Sequence, residues 1–101
     1  MAGIDDFMKR LEESGLVEQA RMMCVGRGIY EPGTFIPDMS TFVDGWTKSA
    51  LEARVDFAYW LRNVRGWAPE MIAALFGVPV ASIVDRLKER DARAVERARA
   101  T

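Results

Sequence analysis

Between Gly66 and Leu87 the chain reads GWAPEMIAALFGVPVASIVDRL, and few arrangements accommodate it. Pro69 suits a first helical position, where its missing N–H is no loss, and Trp67 can staple onto Ile72. Met71, Ile72, Leu75 and Phe76 then recur at helical spacing. Gly77 stands where the chain must turn sharply, with a positive φ expected, after which Val78 should drop back into the core. Pro79 restarts a helix whose inner face is Ile83 and Leu87. Ala73 is small where the second helix has to cross the first closely. The stretch therefore reads as helix, tight corner, helix.

With Ile72-Ala73, Phe76-Gly77-Val78 and Ser82-Ile83 at this spacing, the stretch resembles the helix-turn-helix of bacterial regulators. Upstream, Ala53-Arg54 with Tyr59 and Leu61 is similar to the helix preceding that unit in the C-terminal DNA-binding domain of the replication initiator DnaA. Arg54, Tyr59, Ile72, Phe76, Gly77 and Val84 fall at that family's spacing without a gap. The family's Asp-His-Thr-Thr-Val run corresponds to Val80-Ala81-Ser82-Ile83-Val84, which keeps a hydroxyl and the final valine. The resemblance covers the region from Leu51 to Arg90 and implies a DNA-binding helical domain.

The chain has 101 residues, half of them hydrophobic and 29% charged, which fits one folded domain with a single core. The expected class is all-α, a compact domain of about five or six helices. No apolar run is long enough for a membrane span and no secretory leader is visible, so a cytoplasmic protein with no membrane partner is expected. Catalysis is not expected. The absence of histidine excludes imidazole chemistry and His metal sites, and the single Cys24 cannot build a zinc cluster. Gly26-Arg27-Gly28 lacks the spacing and lysine of a phosphate loop. Asp5-Asp6 and Glu12-Glu13 are adjacent pairs that diverge on a helix. No cofactor is implied, and Cys24, among Met22, Met23 and Val25, reads as a buried thiol.

Charge is distributed unevenly. Through Thr47 there are four basic against eight acidic residues, net −4, and the remainder carries +3. We therefore expect an acidic helical portion, 1–47, packing on a basic helix-turn-helix core, 48–90, with 91–101 as an exposed helical extension.

In the acidic portion Ile4, Phe7, Met8 and Leu11 form one helical stripe, with Asp5 and Asp6 near the positive helix end. Ser14-Gly15 interrupts it. A second helix turns Leu16, Val17, Ala20, Met23 and Cys24 inward and ends at Gly26 and Gly28. These helices either complete the core or offer an acidic docking face. In 28–38, the Pro32-Gly33 pair of Tyr30-Glu31-Pro32-Gly33 suits the second and third positions of a turn, set in a small hairpin or an ordered loop. A short helix opened by Asp38 or Ser40 should hold Met39, Phe42, Val43 and Trp46. Ser49-Ala50-Leu51-Glu52 reads as a capping box opening the most buried helix, with Leu51, Val55, Phe57, Ala58, Trp60, Leu61 and Val64 spread over more than one face.

The candidate DNA-binding residues follow from this layout. Pro79, Val80, Ala81, Val84 and Asp85 face the major groove, where apolar groups meet a thymine methyl and Asp accepts from cytosine. Ser82 and the free amides of the helix start can bond phosphate, and Arg86 and Arg90 follow. Lys48, Arg54 and Arg65 complete the set. The expected function is a double-stranded DNA-binding module held mainly by backbone contacts, a transcription regulator of bacterial, phage or gene-transfer-element origin. One alternative is a protein-interaction module whose Val80, Ala81 and Val84 patch docks on RNA polymerase or another regulator. The other is a phage small terminase-type packaging protein, which needs an oligomer.

Overall fold

The computed structural model describes residues 4–100, with side-chain surroundings from residue 6 onward. The expected inward and dipole-facing roles of the Ile4 and Asp5 side chains thus lie outside the described residues. Six helices and no strand are present among these residues: α1 (Ile4–Glu13), α2 (Val17–Gly26), α3 (Met39–Asp44), α4 (Lys48–Asn63), α5 (Pro69–Phe76) and α6 (Val80–Ala100). The fold is all-α. No helix among the described residues is long and apolar enough to cross a membrane. The chain divides into two compact units, Met1–Phe57 and Ala58–Thr101, and the division falls inside α4, not at the Thr47–Lys48 boundary where the charge balance was split.

The first unit closes on large side chains. Phe7, Leu11, Leu16, Ala20, Cys24, Phe42, Ala53 and Phe57 are buried. Phe42 stands between two other rings, edge-on at 6.2 Å to Phe7 and 5.9 Å to Phe57, a geometry that places a ring's positive edge against a neighbour's negative face. In α3, Asp38 is the N-cap: its carboxylate accepts from the Thr41 N–H at 3.1 Å and the Thr41 hydroxyl at 2.6 Å. These bonds, the hydroxyl first, hold the Asp38 pKa below its ordinary value. Gly45 ends α3 because nothing larger fits, since a Cβ there would lie 2.5 Å from the Thr41 carbonyl oxygen.

Two expectations for this unit are corrected and one open alternative is resolved. Trp46 falls beyond α3 and is 84% exposed, so it is not an inner residue. Of the two readings of 28–38 the ordered loop holds, with one antiparallel bridge joining Tyr30 to Pro37. The turn within it closes from the Glu31 carbonyl to the Thr34 N–H at 3.0 Å, with Tyr30 and Phe35 edge to face at 5.8 Å. Two bonds, Glu31 N–H to Ile36 O and Asp38 N–H to Ile29 O, tie the ends of the loop. The capping box at Ser49 and Glu52 is also displaced. Thr47 caps α4, its hydroxyl accepting from the Ala50 N–H at 3.2 Å. Glu52 instead binds Arg27 at 2.7 Å, and Asp56 takes the same guanidinium through both oxygens at 2.7 and 2.9 Å. The reciprocal partner that a Ser49 cap requires, Glu52, is claimed by a cation 25 residues upstream.

The second unit closes on smaller side chains: Ala58, Leu61, Ile72, Ala73, Leu75, Ile83 and Leu87 are buried. Pro69 takes the first position of α5 as expected, after Ala68. Gly77 adopts φ +69°, and its N–H, together with that of Val78, returns to the Ala73 carbonyl at 2.8 and 3.1 Å. A left-handed residue at that point reverses the chain within one turn, which a residue with Cβ adopts only at a cost. Val78, expected to return to the core, is 39% exposed, and Met71 is 50% exposed. Met71 and Ala74 are exposed positions of α5, whereas Val78 lies past its end, between the Gly77 corner and α6. Leu51 and Val64, counted among the buried positions of α4, are likewise exposed. Helix α6 runs on to Ala100, and every residue from Ala92 to Ala100 is exposed.

Candidate functional site

The left-handed corner at Gly77 determines what α6 presents. Pro79, Val80, Ala81 and Ser82 are exposed at the head of the helix, while Ile83 and Leu87, one turn apart on its inner side, are buried. The Ser82 N–H turns back onto the Pro79 carbonyl at 3.1 Å. The Ser82 hydroxyl makes no hydrogen bond among the described residues, so the side chain and not the amide is open to a ligand. Asp85 and Arg86 are exposed on the next turn, and Arg86 meets Glu89 only loosely, at 3.7 Å. An ion pair of that length between exposed side chains contributes little and leaves the guanidinium available.

Arg90 is less free. Its guanidinium lies 5.6 Å from the centre of the Tyr59 ring, and Arg62 covers the same ring at 5.2 Å. Arg62 is in turn held by both oxygens of Asp91, at 2.9 and 2.7 Å, which ties α4 to α6 within the unit. Each partner registers the pairing: the hydrogen bond raises the Arg62 pKa and lowers that of Asp91. Arg65 is exposed beyond the end of α4, 5.7 Å from the Trp60 ring centre.

Seven of the candidate residues thus belong to one helix and its approach, and Arg65 lies in the same compact unit. The remaining two lie in the other unit. Lys48 is exposed at the start of α4, 4.0 Å from Glu52. Arg54 is corrected: its guanidinium donates to the carbonyls of Phe42 at 2.7 Å and Gly45 at 2.8 Å. It closes the C-terminal end of α3, and desolvation lowers its pKa. Arg54 is a fold element and leaves the candidate set.

The residues that sequence reasoning missed fall into two kinds. Arg62–Asp91 and Arg27–Asp56 each join side chains 29 positions apart, with no local spacing to betray them. Arg93 and Arg97 were legible, because with Ser82 and Arg86 they fall at i, i+4, i+11 and i+15 of one helix. Among the described residues no three His, Cys, Asp or Glu side chains gather as a metal site would require. Cys24 is buried, its Sγ 3.8 Å from the Met39 sulfur, and burial pushes the thiol pKa up to about 11. It is an inert thiol at neutral pH. The chain matches no family model, and neither curated proteins nor solved structures give a match.

Proposed function

We propose that the chain is a double-stranded DNA-binding module acting as a transcription regulator of bacterial, phage or gene-transfer-element origin. Helices α5 and α6 serve as its helix-turn-helix. The observation that carries the proposal is the exposure of Val80, Ala81 and Ser82 at the head of a helix anchored from behind by Ile83 and Leu87. The chemistry on offer is positional. Ser82 and Arg86 suit phosphate oxygens, whereas Val80, Ala81 and Asp85 read few base features. Binding is therefore weakly sequence-selective and salt-sensitive, with the +3 charge of the second unit supplying the attraction.

The test is a labelled duplex titrated at low salt. A shift that fades with added salt and is lost in Arg86→Glu with Arg65→Glu supports the proposal. No shift at the lowest salt overturns it.

A second reading has its own observation. Met71, Val78 and Val80 are exposed apolar side chains around the corner, the composition of a protein-docking patch. Capture of RNA polymerase or another regulator that is lost in Val80→Asp, with no duplex shift in the parent protein, would select it.

A further inference from the structure

Helix α6 is longer than groove reading requires. Its 21 residues extend ~31 Å at ~1.5 Å per residue, against a major groove ~12 Å wide. A helix entering by its head leaves more than half its length outside the groove, where the nearest groups are phosphates. The side chains on that length are not random. Ser82, Arg86, Arg93 and Arg97 fall within an arc of about 60° at 100° per residue. Arg86 to Arg97 extends ~16 Å along the axis. This row continues the face that Ser82 begins at the head of the helix.

Helix α6 carries six basic residues and four acidic ones. Asp91 is removed by Arg62 at 2.7 Å, and Glu89 lies 3.7 Å from Arg86. Asp85 and Glu96 form the neighbouring strip, on the acidic side of the same outer face. Arg93 is exposed and makes no hydrogen bond or ion pair among the described residues. Past Asp91 the inner face offers only Ala94, Val95 and Ala98, too small an apolar area to hold a stable helix partner. The half of α6 that projects beyond the packed unit is thus basic on one side and short of apolar surface on the other.

We propose that the second half of α6 is a phosphate rail: Arg93 and Arg97 extend the contact begun by Ser82 and Arg86 onto the sugar–phosphate backbone flanking the groove. The inference rests on the duplex-binding function proposed above and specifies how that binding is divided along the helix. Each arginine on the rail displaces a counterion, so the rail is read in the salt dependence of affinity, with little effect on sequence preference.

The experiment uses the full chain and a mixed-sequence duplex, with affinity followed from about 50 to about 200 mM salt. Arg93→Gln with Arg97→Gln lowers the slope of log affinity against log salt by about two and weakens low-salt binding at least about tenfold. Lys9→Gln with Arg21→Gln removes the same charge from the first unit and leaves the slope unchanged. Circular dichroism confirms that both variants keep their helices. A duplex bound by the parent protein with the same slope in the Arg93/Arg97 variant overturns the rail and leaves the function standing. A slope reduced equally in both variants also overturns it, because net charge alone then accounts for the effect. No binding by the parent at the lowest salt overturns rail and function together.

Discussion

The two compact units engage their arginines differently. The first has ten acidic and six basic residues, the second five and eight. In the first, Arg27 is gripped by Glu52 and Asp56, and Arg54 closes the end of α3. In the second, Arg62 is braced through both carboxylate oxygens, while Arg65, Arg86 and Arg93 reach solvent. An arginine counts toward a binding surface only after those that the fold itself requires have been subtracted. Net charge alone hides this, because the −4 and +3 of the units say nothing about which guanidiniums are engaged.

The contrast can be broken or sharpened by substitution. Phe42→Ala should have the largest effect, removing about 3–5 kcal/mol because the ring is fully buried against Phe7 and Phe57. Urea unfolding followed by tryptophan fluorescence and circular dichroism measures it. Arg54→Ala should cost about 2 kcal/mol, since two carbonyls at the end of α3 lose a charged donor. Its affinity for duplex should fall no further than the loss of one charge explains. Gly77→Ala is expected to cost about 1–2 kcal/mol through the left-handed backbone at φ +69°, seen as a lower unfolding midpoint.

Asp38 adds a pH arm to the first unit. Its folded pKa lies below the unfolded value because the Thr41 hydroxyl and amide favour the carboxylate. The stabilisation is therefore complete above the unfolded pKa of ~3.9 and is lost as pH falls through the lowered folded value. Asp38→Asn keeps a cap but removes the titration, so its urea midpoint should vary less than that of the parent between about pH 3 and pH 6. The smallest effect on stability belongs to Arg86→Gln, within about 0.5 kcal/mol, although it should lower the salt slope of duplex binding by about one. Should Arg86→Gln destabilise as much as Arg54→Ala, the division between engaged and open arginines fails.

What the sequence disclosed follows the range of the interactions. Pro69, Gly77, Ile83 and Leu87 were legible because each acts within one helix or one turn. The extension through Ala100 was legible for the same reason. Trp46 and Val78 were misplaced inside the core because hydrophobicity was the sole guide at positions lying between helices, where periodicity gives no face. Arg54 was misassigned by a different route. The family's spacing carried it into the candidate set, and only the location of the Phe42 and Gly45 carbonyls, 12 and 9 positions away, reveals its work. The Ser49 cap lost to Thr47 because the carboxylate it needed had a stronger partner in Arg27.

The solitary sulfhydryl of Cys24, sealed on the inner side of α2 and reluctant to ionise, equips the protein with a native stopwatch. A thiol reagent can reach it only in moments when the first unit opens, so the pace of labelling at increasing urea clocks that opening directly. The second unit has no such residue. Trp67, within it, offers a separate optical signal there once Trp46 and Trp60 are replaced by phenylalanine. Whether the two signals keep common time would show if the halves of this short chain breathe together or apart.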